Sequence, residues 1–192
     1  VGDLCSFYDL PLPHQILQEQ PSDETWKDLV KCRVTEKWEK TMRTSASDKT
    51  TLRYMNLIDA SLQNPHIIWK AALGDQRALD RAVIKAKLVA GVYNLHGRRV
   101  HYLSSGKNAT CKLCKETVET REHVLIDCPA LEDTRSNTWS RLGPGGGVPD
   151  VSVILDHTTS SEPDEKFEQA TQHLVYKLHC HRLRALNALN LL

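Results

Sequence analysis

The residues with the most chemistry per unit length lie in 111–128, CKLCKETVETREHVLIDC. Three of the chain's six cysteines and one of its nine histidines fall there. The spacing is Cys111-x₂-Cys114-x₈-His123-x₄-Cys128. Two cysteines separated by two residues can aim both thiolates at one point from a tight turn, and a later His and Cys can close a tetrahedron. Three sulfurs and one imidazole with no open position suit one structural zinc ion, with Zn–S near ~2.3 Å and Zn–N near ~2.0 Å. Catalytic zinc is disfavoured, because four protein ligands leave no place for water. The bland alternative is a set of free thiols beside a surface histidine. A deaminase site fails as well, since no H-x-E accompanies a P-C-x-x-C. The spacing therefore predicts a zinc knuckle with an enlarged central loop.

ETREHVLIDC reads as helix. His123 and Cys128 are five apart, about 140° out of line on a straight α-helix. Cys128 is therefore expected at a frayed last turn, with Pro129 helping to distort the chain. Closing such a site can supply on the order of 10 kcal/mol, enough to order a loop with little core of its own.

Charge surrounds this cluster unevenly. The chain's net charge is +1, yet residues 76–115 carry a net +8, flanked by −2 over 1–75 and −5 over 116–192. A basic block in a near-neutral chain is the footprint of a polyanion partner, the alternative being a solvated helix face. The cations in the block are Arg77, Arg81, Lys85, Lys87, Arg98, Arg99, Lys107, Lys112 and Lys115, and they are the candidate nucleic-acid contacts. Tyr102 and His101 can stack on a base, but packing explains them as well.

The elements that must position these groups read as mainly α. We divide the chain into a helical linker region (1–75), a basic helix and connector (76–107), a zinc knuckle with a following helix (108–141), a Gly/Pro linker (142–150) and a C-terminal helical tail (151–192). Ser22 or Asp23 can cap a helix whose Trp26, Val30, Val34 and Trp38 form an inward stripe. Ile68 and Trp69 are expected to pack inward. Asp75 can cap the basic helix, with Leu79, Val83, Ala86, Val89 or Ala90, and Tyr93 buried and Arg81 and Lys85 on another side. Gly91 marks a close contact or an early stop. Ser161 to Asp164 has capping-box spacing before a last helix with Phe167, Leu174, Leu178 and Leu186 among its apolar positions.

A composition 40% apolar and 26% charged is ordinary for a globular chain. No run of apolar residues is long enough for a membrane span. The start VGDLCSFYDLPLP has neither a secretory signal nor an initiator Met, so the chain is expected to be excised from a longer protein in a reducing compartment, nuclear or cytoplasmic.

AKLVAGVYNLHGRRVHY followed by CKLCKETVETREHVLIDCPALEDTR resembles the region after the polymerase core of non-LTR (LINE-type) retrotransposon reverse transcriptases. The match lies in Cys111, Cys114, Glu119-Thr120, His123 and Cys128-Pro129. The tail LVYKLHCHRLRAL and the lead YDLPLPHQIL…WKDLVKCRVTEKW are similar to the end and to the linker of such polyproteins, and only the knuckle is specific. The resemblance implies a helical linker and a knuckle that grip template RNA or target DNA in target-primed reverse transcription. Polymerase and endonuclease domains of the same polyprotein would be its partners. The family's paired polymerase aspartates are absent, so the expectation is a non-enzyme.

Two rivals stand beside it. Pro149-Asp150 and Asp164-Glu165-Lys166 imitate a restriction-like nuclease, although Asp164 is expected at a helix start, where an acid complements the dipole. The other rival is a zinc-braced protein-interaction module.

Overall fold

A computed structural model describes residues 2–55, 64–96, 109–142, 147–155 and 164–191. It is mainly helical, and the described residues contain no strand, only an isolated antiparallel bridge between Thr110 and Val118. No described helix is long and apolar enough to cross a membrane. Arg98, Arg99, Lys107, His101, Tyr102 and Ser161 lie outside the described residues.

Two compact units divide the chain near Lys49. The first carries α1 (Gly2–Phe7), α2 (Pro13–Glu19) and α3 (Asp23–Ser47). Ser22 caps α3, its hydroxyl accepting from the Thr25 N–H at 3.2 Å. The expected stripe is only half-covered. Trp26, Val30 and Val34 are half-buried, Trp38 is 45% exposed, and no residue of this 25-residue helix is buried. The described part of this unit has only two short helices to cover it.

The second unit holds α4 (Ile67–Lys70), α5 (Gln76–Val89), α6 (Glu132–Leu142), α7 (Val151–Leu155) and α8 (Glu165–Ala188). α8 is its axis, with α4, α5 and α6 packed on it. It buries Leu174, Val175, Leu178 and Leu186, which join Ala82, Leu88, Val124, Leu125, Leu131 and Ile154 in the core. Its cap is Asp164, whose carboxylate accepts from the N–H groups of Lys166 and Phe167, three residues beyond the expected Ser161. In α4, Ile68 is buried but Trp69 is exposed. Adjacent residues on a helix point about 100° apart, so one short turn cannot aim both inward.

Asp75 caps α5 as expected, accepting from the Arg77 N–H at 3.0 Å. The buried face is Ala82, Lys85, Leu88 and Val89, and Leu79 is exposed. Of the expected stripe, Val89 and Tyr93 are buried and Val83 and Ala86 half-buried, and the remainder is displaced because Lys85 is expected in solvent. Lys85 is 1% exposed, with its Nζ 2.5 Å from Glu168 and 2.7 Å from the Thr171 hydroxyl, both on α8. A buried ammonium is tolerated when a carboxylate and a further acceptor meet it. Lys85 is therefore corrected from a candidate nucleic-acid contact to an internal tie.

Gly91 combines both expected roles. α5 ends just before it, its φ is +65°, and a Cβ there would lie 2.8 Å from the Thr51 carbonyl oxygen. Gly91→Ala is expected to lower stability by about 2 kcal/mol, from the left-handed backbone plus the contact. Urea denaturation checks this, and an unchanged midpoint would refute the close approach.

Candidate metal centre

A short hairpin presents the first two cysteines. Its rungs are Cys111 N–H to the Thr117 carbonyl at 2.7 Å and Glu119 N–H to the Ala109 carbonyl at 3.0 Å. The Lys115 N–H returns to the Cys111 carbonyl at 2.9 Å, and Lys115 adopts φ 63°, which turns the chain sharply after Cys114. Cys111 and Cys114 thus sit on one tight turn.

The second pair comes from a π-helical turn, His123–Asp127. The Cys128 N–H bonds the His123 carbonyl at 2.7 Å, an i→i+5 bond. A π turn is wider than an α turn and brings residues five apart toward one face. It replaces the expected frayed α-turn. Thr120 starts it, its hydroxyl accepting from the His123 N–H at 3.1 Å. Pro129 opens a 3₁₀ turn, Pro129–Leu131, directly after it.

The four donor atoms all lie within 4.8 Å of one another. Cys111 Sγ stands 4.0 Å from Cys128 Sγ, and Cys114 Sγ stands 3.3 Å from His123 Nε2. Cys111, His123 and Cys128 are buried and Cys114 is half-buried. Among the described residues this is the only such group, and it can hold a metal ion. None of the six cysteines is in a disulfide.

The thiols differ electrostatically. Burial and the neighbouring thiol Cys111 push Cys128 up to about 12. Burial also raises Cys111. Burial acts against ionisation of Cys114 too, but backbone N–H groups of Glu116 and Thr117 outweigh it and lower that thiol. Cys114 is therefore the readiest first thiolate.

Several side chains that sequence patterns did not single out hold this frame. The Thr117 hydroxyl lies 2.9 Å from His123 Nδ1, fixing the ring so that Nε2 faces the sulfurs. Arg135, 2% exposed, donates to the carbonyls of Leu125 at 2.7 Å and Cys128 at 3.1 Å. Arg121, two residues before the π turn, donates to the Leu88 and Thr51 carbonyls at 3.0 Å and so ties the start of this segment to the end of α5. Glu122 accepts from the Tyr54 hydroxyl at 2.6 Å and from Arg53. Although burial opposes its ionisation, these bonds hold its carboxyl down at about 2. Glu119, matched only as part of a motif, is 1% exposed and binds Arg182 of α8 through both oxygens, at 2.8 and 2.9 Å. No periodicity signals such long-range polar pairs.

Of the remaining candidate cations, Arg77, Lys87 and Lys115 are exposed, while Arg81 and Lys112 are half-buried. His179 pairs with the Tyr93 hydroxyl and His181 with Thr134, so these two histidines face separate partners. Asp150 accepts from the Val151 N–H, and Asp164 is a helix cap. Comparison with protein-family models, curated proteins and solved structures finds no match for this chain.

Proposed function

We propose that the chain is a non-catalytic, zinc-braced module that binds RNA or DNA inside the cell, as part of a retrotransposon reverse transcriptase polyprotein. The observation that carries the reading is the closed donor set. A tetrahedral zinc with Zn–S about 2.3 Å and Zn–N about 2.0 Å separates its donors by roughly 3.5–3.8 Å. The 4.0 Å and 3.3 Å separations bracket that spacing. Cys111, Cys114, Cys128 and His123 Nε2 would hold the ion, and Thr117 supports the imaginable weak point, the ring orientation, in the way outer partners commonly do. Four protein donors make the ion a brace.

Support for the polyanion partner is the basic block and the knuckle resemblance. Through Arg121 the metal loop is tied to the end of α5, which carries Arg77, Arg81 and Lys87. The module would set these cations, with Lys112 and Lys115, against template RNA or target DNA beside the polymerase and endonuclease domains.

The test is a gel shift with structured RNA and duplex DNA across salt. Five engaged cations predict a log–log slope of roughly −4.5 on duplex DNA and about −3.5 on single strands. A flat response would favour a protein partner instead, a reading that the half-covered face of α3 with exposed Trp38 also favours.

A further inference from the structure

Beside the metal loop, a cleft of about 400 Å³ opens between α5, α8 and the segment 92–96. Small-ligand clefts run roughly 300–1,000 Å³, so this one has room for a single small ligand. Ile84, Leu183 and Leu186 give it an apolar side. Buried Tyr93 stands edge-on to His179, with ring centroids 5.7 Å apart.

Lys87 and Lys112 also line the cleft, and the side-chain ammonium of neither makes a hydrogen bond or ion pair with a described residue. The one acid among its described lining residues, Glu119, is engaged on both oxygens by Arg182 and on one of them by the His96 N–H at 2.5 Å. The described lining is thus net positive. His179 registers this: burial first, then the positive charges of Arg182 and Lys87, hold it below its ordinary value. An apolar wall, two rings, the Asn94 amide and cations with no acid beside them among the described residues except the engaged Glu119 together fit a planar base carrying a phosphate.

We propose that this cleft takes one unpaired nucleotide of a single strand, base against the apolar wall and phosphate toward Lys87 and Lys112. The proposal rests on the nucleic-acid reading above. It makes the module a reader of unpaired ends or loops as well as of backbone charge.

The test uses the full zinc-loaded chain and the His179 ring resonances. Uridine 5′-monophosphate is expected to shift them saturably and to raise the pH at which His179 titrates, because added negative charge favours imidazolium. Uridine and inorganic phosphate, each lacking half of the recognised group, should bind about tenfold more weakly or worse. Lys87→Gln with Lys112→Gln should weaken the nucleotide by about tenfold. Val92→Trp, at an exposed position on the cleft, should crowd out the base with zinc content and thermal midpoint kept. An unmoved His179, or equal binding of single-stranded RNA by the unaltered chain and Val92→Trp, overturns the cleft and leaves the nucleic-acid reading standing. Failure of the unaltered chain to retain any RNA or DNA strand sinks that reading, and the cleft's assignment with it.

Discussion

Cys128→Ser is expected to abolish tight metal binding and to unfold the 109–128 segment. Cys128 is fully buried within the core of the second unit and closes the donor set from the π turn. Structural zinc sites supply on the order of 10 kcal/mol. That is comparable with the whole stability of an ordinary domain, about 5–15 kcal/mol. Removing one of four ligands therefore removes a contribution that the hairpin rungs cannot replace. The loss should spread, because Arg135 holds the Cys128 carbonyl and Arg121, two residues before the π turn, holds the end of α5. Amide exchange should show loss of protection in 109–128 and in the last turn of α5. Cys32→Ser, at an exposed position, should change stability by no more than about 0.5 kcal/mol. Affinity for the metal should rise steeply with pH, since three thiols lose protons on binding and higher pH favours their release. A chelator should reproduce the serine phenotype in the unaltered chain.

Lys85→Met is expected to cost about 3–5 kcal/mol, since it leaves Glu168 buried without its cation. Both partners are 1% exposed. Glu168 would keep the Gln172 amide at 2.9 Å, which does not neutralise a carboxylate. The double variant Lys85→Met with Glu168→Leu should recover most of the loss, because well-packed apolar residues can replace a buried pair at little cost. Urea denaturation of the four metal-loaded proteins gives the cycle. Additive single losses would contradict the pairing, and a negligible Lys85→Met effect would return Lys85 to the surface.

That same residue marks where sequence patterns stop being informative. Three regularities carried over: ligand spacing, helix starts at Ser22, Asp75 and Asp164, and the mainly α character. Each is local, so neighbours along the chain suffice to express it. Lys85 belongs to a pair separated by 83 residues, and a lysine on a helix looks solvent-facing until its partner is known. Counting it as polar displaced the buried stripe of α5 and wrongly turned Leu79 inward. Trp38 failed in the opposite sense: spacing identified a face but could not say whether anything covers it. The candidate metal cluster was legible in the spacing of its four donor residues and opaque in its frame. Thr117, Arg121 and Arg135 act through backbone carbonyls and one ring nitrogen, contacts that leave no periodic trace. Nor does spacing distinguish a frayed α turn from the π turn that aligns His123 with Cys128.

The most direct check on the account is the metal content of the reduced, purified chain by native mass spectrometry, alongside Cys128→Ser. One zinc ion per chain is expected, retained through buffer exchange and absent from the variant. A reduced chain that folds with no bound metal, or one whose zinc survives the Cys128→Ser change, would contradict it.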